Sequence, residues 1–165
     1  SKLITQLLEK VNPELKVIFT VSPIRHMKDG FHENQLSKSI LLLAIEALQK
    51  SFDERVFYFP SYEIMMDELR DYRFYADDML HPSLLAQNFI WKCLSECYFS
   101  DECHMIIKKW DEIKKGLAHK PFHPESAEYK VFLCQIVLKI NQLKKKYPYF
   151  EVKNELELCR TLLKQ

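Results

Sequence analysis

The sequence predicts a helix-rich α/β fold with about two parallel strands, followed by a helical tail. Two short runs of β-forming residues, each followed by a proline, flank a long apolar segment with helical spacing. A strand–helix–strand order is typical of a right-handed parallel βαβ unit. Beyond about Ser100 the patterns become helical and rich in Lys and Glu, and no strand pattern follows residue 60.

The first strand is predicted over Lys16–Val21, after a helix that ends near residue 11, and the second strand over Val56–Phe59. Because neighbouring positions of the first strand are apolar, we expect it to be buried on both faces. A helix that is apolar nearly all round, and hence deeply covered, is predicted from about Phe31 to Lys50. The apolar positions that keep helical spacing in it are Leu36, Ile40, Leu43 and Ala47.

The segment Ser61–Pro82 is dense in Asp, Arg and Tyr and is predicted to be an irregular loop of the length that often carries function. A helix that packs on the sheet is predicted to start at Pro82, and a short terminal helix at about Asn154. The main helix of the tail has one apolar stripe. Its members are Tyr129, Phe132, Leu133, Ile136, Val137, Ile140 and Leu143.

Two parallel strands with apolar faces do not form a stable sheet alone, since parallel sheets lie between layers of helices. We therefore expect the C-terminal part of a larger α/β domain, and a start at Ser1 within an apparent helix agrees with this. Residues 1–99 are assigned to that domain, and residues 100–165 to a helical C-terminal extension packed on it. The alternative is a small helical domain whose βαβ element is completed by dimerisation.

Composition excludes several functions. The chain has 24 Lys and Arg against 23 Asp and Glu, so it carries no strong positive potential that would attract nucleic acid or an anionic membrane. With 2 glycines it cannot contain GxGxxG or a P-loop. No cofactor is predicted. The longest aliphatic run, Ile40–Ile45, is far below the ~20 residues of a membrane helix. The 5 cysteines form no CxxC pair, which predicts reduced thiols in a cytoplasmic protein, and no metal-site spacing occurs.

Asp78 and His81 form the strongest candidate for chemistry. In a DxxH pair the carboxylate can accept a hydrogen bond from Nδ1 of the imidazole, which leaves Nε2 free to act as a general base. The pair precedes a helix and follows a strand, where α/β sheets present catalytic groups. The alternative is an aspartate that caps the helix beside a solvated histidine.

Further candidates follow the two strands and are expected at the same edge of the sheet. Ser22, Arg25 and His26 follow the first strand, and Tyr62 and Glu63 follow the second. We expect them to line the site or bind substrate. An alternative is that Ser22 is a nucleophile with His26 as its base, although this serine is followed by proline rather than by a glycine nucleophile elbow. Strand-end and turn roles are the structural alternatives.

Several stretches closely resemble the GSCFA domain family. They are Thr20–Gly30, Asn34–Lys38, Tyr58–Ile64 and Asp67–Ser83, and Leu117–Ser126 resembles the helical tail of those proteins. The family is similar to the SGNH/GDSL hydrolases. The resemblance therefore implies a flavodoxin-like, three-layer α/β/α sandwich of the SGNH type and ester hydrolysis by a Ser-His-Asp catalytic triad.

The resemblance implies that Asp78 and His81 are the last two members of the triad. The serine of such enzymes lies in a Gly-Ser-Cys-Phe-Ala motif, and this chain contains no Gly-Ser pair. We therefore expect a fragment that supplies the base without the nucleophile and is inactive alone. A small-molecule or glycan O-acyl ester is the expected substrate. The alternatives are a non-catalytic ligand-binding module and an interaction domain whose open sheet edge makes the isolated chain self-associate.

Overall fold

The computed structural model describes residues 2–28 and 30–164, so Ser1, Asp29 and Gln165 lie outside the described residues. The described chain divides into two compact units, with the boundary between Tyr98 and Phe99. The first unit contains a two-stranded parallel sheet, and the second is helical. The prediction of a helix-rich α/β fold with two parallel strands and a helical tail is confirmed.

The elements of the first unit are α1 (Lys2–Gln6), continued by a π-helical turn (Leu7–Val11), β1 (Val17–Thr20), α2 (Phe31–Ser51), β2 (Val56–Phe59), α3 (Ser61–Glu63), continued by a second π-helical turn (Ile64–Glu68), a 3-10 turn (Tyr72–Phe74) and α4 (Leu84–Tyr98). The second unit comprises α5 (Asp101–Ala118), α6 (Ala127–Lys146) and α7 (Lys153–Leu163).

The strands β1 and β2 are parallel, with Val17 paired to Val56 and Thr20 to Phe59. The helix α2 connects them, so the predicted βαβ unit is present. Because the carboxyl ends of parallel strands lie at the same edge, the segments that follow β1 and β2 come together there. One side-chain bond confirms this: the Ser61 hydroxyl, just beyond β2, donates to the Val21 carbonyl, just beyond β1, over 2.8 Å.

The predicted burial of β1 and of α2 is wrong in this structure. Ile18 of β1 is 44% exposed, and Ile40 and Leu43 of α2 are 66% and 71% exposed. The buried positions of α2 include Asn34 and Lys38, whose polar ends bond to the segment after β1. A two-stranded sheet covers only one face of the helix, and Asn34, Lys38 and Ile45 lie on that face, so Ile40 and Leu43 point away.

The polar segment after β2 is less irregular than predicted, because it begins with the helical turns of α3 and the second π-helical turn. The helix α4 begins at Leu84 rather than at Pro82, with the Ser83 hydroxyl accepting from the amide of Ala86 over 3.4 Å. Ala86 anchors α4 in the core of this unit. That core consists of Phe59, Ile64, Met65, Leu69 and Ala86.

The second unit has its own core, built around α6. The Ser126 hydroxyl caps this helix by accepting from the amide of Tyr129. Val152 and Cys159, from the segment before α7 and from α7 itself, complete the core. The buried members of the predicted α6 stripe are Tyr129, Leu133, Ile136, Ile140 and Leu143, and Phe132 and Val137 are partly buried beside them.

Two findings bear on the environment of the protein. Among residues 2–28 and 30–164, no helix combines the length and the apolar character that a membrane crossing requires. All five cysteines are free thiols, and Cys159 is the buried one.

The close approach of α5 to α6 at Gly116 gives a stability prediction. A Cβ there would lie 2.8 Å from Cδ1 of the buried Ile136. We expect Gly116→Ala to destabilise the unit by about 1 kcal/mol, because overpacking outweighs the gain in helix propensity. Ile136→Val removes the opposing methyl group, so the double variant should lose less than the sum of the single variants in urea unfolding. Additive losses would contradict the close approach.

Candidate active site

Asp78 and His81 are in direct contact. The Oδ2 atom of Asp78 lies 2.5 Å from Nδ1 of His81. Its other oxygen, Oδ1, accepts from the backbone amides of Leu80 and His81, each over 2.9 Å. The carboxylate is thus fixed by three hydrogen bonds from its own loop, and it fixes the plane and position of the imidazole.

The protonation of this pair follows from the same contacts. The two backbone amides and the imidazole lower the pKa of Asp78 from 3.8 to about 2. An ionised carboxylate can only accept, so Nδ1 of His81 carries the proton that joins the two side chains. In the neutral imidazole Nε2 then has a free lone pair, and it makes no hydrogen bond to any described residue. The His81 side chain is 56% exposed, which leaves it accessible to a reactant.

A tight loop holds the pair in place. The amide of Ala76 donates to the His81 carbonyl over 2.8 Å, and Tyr75 and Pro82 form an antiparallel bridge at its base. Within it Met79 has a φ of 58°, in the left-handed region that non-glycine residues rarely adopt. This turn directs the amides of Leu80 and His81 towards the carboxylate. Strained conformations of this kind are held where the surrounding contacts determine them, as they do here.

The segment after β1 contacts this loop through Arg25. The amide of Arg25 donates to the Leu80 carbonyl over 3.1 Å, and its guanidinium carbon lies 4.3 Å from the centre of the Tyr75 ring. Ser22 and His26 lie in the same segment and are exposed. The Ser22 hydroxyl accepts from the amide of Ile24, and no hydrogen bond joins it to the His26 ring. The alternative nucleophile–base pair is therefore not formed in this structure.

Tyr62 and Glu63, predicted to line the site, point in different directions. The Tyr62 hydroxyl donates to the Gln35 side chain of α2 over 2.7 Å, at a surface cavity that Arg25 also lines. Glu63 instead accepts from the Tyr58 hydroxyl, over 3.0 Å and 2.8 Å. Burial, together with this carboxylate, holds the pKa of Tyr58 well above its usual range. The Glu63 carboxylate therefore bonds to a side chain of β2 and does not line the cavity.

Sequence reasoning assigned no role to two polar residues of α2. Lys38 is 3% exposed and donates from Nζ to the Ser22 carbonyl over 2.6 Å, and burial lowers its pKa. Asn34 is buried and accepts from the amide of His26 over 3.0 Å. Both residues fix the course of the segment after β1. Helical spacing could have placed both residues on the inner face. Asn34 and Lys38 are four residues apart, and the buried Ile45, eleven residues after Asn34, falls on the same face of the helix.

The acid stability of the protein should depend on Asp78. Because its pKa is lower in the folded chain than its usual 3.8, the carboxylate contributes stability above that pH, and the contribution is lost as pH falls towards about 2. We therefore expect the difference in unfolding free energy between wild type and Asp78→Asn to shrink between pH 4 and pH 2. Asp77→Asn, an exposed neighbour, is the matched control. A difference that stays constant with pH would contradict the assigned contacts.

The described residues give no group of three or more His, Cys, Asp or Glu side chains placed to hold a metal ion. The ionisable pair at this edge of the sheet is Asp78–His81, and the polar side chains around Arg25 lie nearby. An imidazole oriented by a carboxylate, with Nε2 accessible, can accept a proton from a hydroxyl or from water.

Comparison with known proteins agrees with the resemblance seen in the sequence. Residues 1–94 match the GSCFA family, and residues 110–165 match the C-terminal domain of GSCFA domain proteins. Neither the curated proteins nor the solved structures gave a match. The match to the GSCFA family covers more than half of the chain and includes the Asp78–His81 loop, α2 and both strands. The chain therefore belongs to the GSCFA family.

Proposed function

We propose that this chain supplies the base half of a serine ester hydrolase of the SGNH type. One observation carries the proposal: the hydrogen bond between Asp78 Oδ2 and His81 Nδ1, with both carboxylate oxygens fixed and Nε2 accessible. A surface aspartate that merely capped α4 would not need to orient an imidazole as well. The membership of the GSCFA family, which is similar to the SGNH/GDSL hydrolases, supports the same function.

In the proposed reaction Nε2 of His81 takes the proton of a serine hydroxyl as its oxygen attacks the ester carbonyl carbon. The Asp78 carboxylate stabilises the imidazolium that forms. When the carbon–oxygen bond of the ester breaks, His81 returns the proton to the departing alkoxide, and an acyl-enzyme remains. His81 then activates a water molecule, which releases the acid and regenerates the serine.

We place the nucleophile and the oxyanion-hole donors outside these 165 residues. The chain has no Gly-Ser pair, and no described serine bonds to Nε2 of His81. The exposed apolar side chains of Ile18, Ile40 and Leu43 fit burial by further elements of an α/β/α sandwich. In this proposal the chain is a truncated part of the catalytic domain and does not turn over alone.

The proposed substrate is an O-acyl ester such as an acylated carbohydrate, by similarity to related hydrolases. The proposed compartment is the cytoplasm, which the five free cysteines support because thiols stay reduced there.

An interaction module is the second candidate, and the same exposed face of α2 favours it. Apolar side chains of this size gathered on one helix often mark a surface that another protein covers. In that case the Asp78–His81 pair would have no role in turnover, and the isolated chain would self-associate.

Hydrolysis of 4-nitrophenyl acetate distinguishes the two candidates. The assay compares this chain with a longer form of the protein that carries the Gly-Ser-Cys-Phe-Ala motif. We expect turnover by the longer form only. Activity of the 165-residue chain alone would place the nucleophile within it, with Ser22 the first residue to test. A longer form that is inert towards a panel of acyl esters would favour the interaction module.

A further inference from the structure

A cavity lined by Arg25, whose backbone amide donates to Leu80 of the Asp78–His81 loop, has no role in the reaction described above. It has a volume of about 290 Å³ and lies where the segment after β1 meets the start of α2 and the region after β2. This is smaller than most complete ligand sites and suits one substituent of a larger molecule. Its walls are apolar at Ile24, Phe31 and Met66, and polar at Arg25, Asn34, Gln35 and Tyr62.

Arg25 is the charged group among the residues that line this cavity, and its guanidinium N–H groups have no partner among the described residues. Its guanidinium rests on the Tyr75 ring, and it forms no ion pair or side-chain hydrogen bond with any described residue. The contact with the ring holds the group in position without using its N–H groups, which suit the two oxygens of a carboxylate. A half-buried arginine fixed in this way is prepared for an anion from outside the chain.

A second basic side chain, Lys38, lies beside Tyr62, a wall of the cavity. The ammonium group of Lys38 is buried, 5.9 Å from the centre of the Tyr62 ring, and its one hydrogen bond goes to the Ser22 carbonyl. Buried lysines are usually paired with a carboxylate, and no described residue supplies one here. Two of the acids in this region are engaged elsewhere, Glu63 with Tyr58 and Asp78 with His81. Among the described residues that line the cavity, Arg25 is charged and none is acidic.

We propose that this cavity binds a carboxylate group of the substrate, with Arg25 as the residue that recognises it. The apolar walls fit a short aliphatic or aromatic acid residue around that carboxylate. The inference rests on the proposed function, because it makes the cavity a specificity site for the ester that His81 would act on. A hydrogen bond from the Arg25 amide to the carbonyl of Leu80, one residue before His81, connects the cavity to the Asp78–His81 pair.

The test uses this chain and three probes: benzoate, benzamide and inorganic phosphate. Benzoate and benzamide share a shape and differ in charge. We expect benzoate to shift the backbone NMR signals of Arg25 and Gln35, with benzamide binding at least about tenfold more weakly. Arg25→Gln should remove this difference, and Arg25→Lys should restore part of it. Unchanged signals from Ala86, in the core of the first unit, would show that each variant keeps the fold around Arg25.

Three results would overturn the inference: equal binding of benzoate and benzamide, undiminished benzoate binding by Arg25→Gln, or binding of phosphate with no binding of benzoate. The proposed function fails separately. Charge-selective binding that depends on Arg25, in a protein whose longer form hydrolyses no ester, would reject the hydrolase and keep the carboxylate site. Ester hydrolysis without such binding would reject the carboxylate site alone.

Discussion

In the proposed hydrolase, replacing His81 with alanine is expected to lower kcat for ester hydrolysis by the motif-bearing form at least about 10³-fold, because the proposed serine nucleophile would lose its general base. The substitution removes an exposed ring, so the fold should be retained. His123→Ala, at an exposed histidine of the second unit, is the control and should keep full activity. Equal activity of wild type and His81→Ala would contradict the assigned role.

Asp78→Asn is expected to reduce activity to a similar degree, for a reason that the loop geometry supplies. The amides of Leu80 and His81 hold an oxygen at the position of Oδ1, so the asparagine would place its NH₂ group where Oδ2 lies. That group donates to Nδ1 of His81 and moves the imidazole proton to Nε2, which is the wrong tautomer for a base. Asp77→Asn is the matched control. Full activity of Asp78→Asn would show that the carboxylate does not orient the ring.

The largest effect on stability is expected at Leu133. This residue of α6 is fully buried in the core of the second unit, so Leu133→Ala removes apolar contacts and leaves a cavity. A loss of about 3 kcal/mol in unfolding free energy is expected. Leu138→Ala is the control on the same helix, where the side chain is 60% exposed and a loss below about 0.5 kcal/mol is expected. Urea unfolding of the two variants checks this, and similar losses would contradict the orientation of α6.

Much of the fold could be predicted because its local patterns are strong. The proline-terminated strands around a helix gave the βαβ unit, and the stripe that contains Leu133 gave the inner face of α6. The inner face of α2 could not be predicted in the same way. Hydrophobic periodicity selects apolar residues, whereas this helix turns Asn34 and Lys38 inwards because they satisfy backbone groups of the segment after β1.

The contact between Asp78 and His81 was predictable because three-residue spacing brings their side chains together. What the sequence does not show is the left-handed turn at Met79, which directs two amides towards the carboxylate and lowers its pKa. Nor does it show the link from Arg25 to Leu80, since these residues lie far apart in the chain. Glu63 was expected at the site because it follows β2. Its hydrogen bond from the Tyr58 hydroxyl depends on side-chain geometry, which residue spacing does not predict.

The most direct test of the central claim is the rate at which a fluorophosphonate labels the serine of the motif-bearing form. This reagent traps a serine whose proton is being removed by a base, so it reports the action of His81 without requiring the natural substrate. We predict rapid labelling of the wild type and of His123→Ala, and labelling slowed at least about 10³-fold in His81→Ala. Labelling of His81→Ala at the wild-type rate, with loss of labelling in His26→Ala, would contradict the claim and assign the base to the segment after β1.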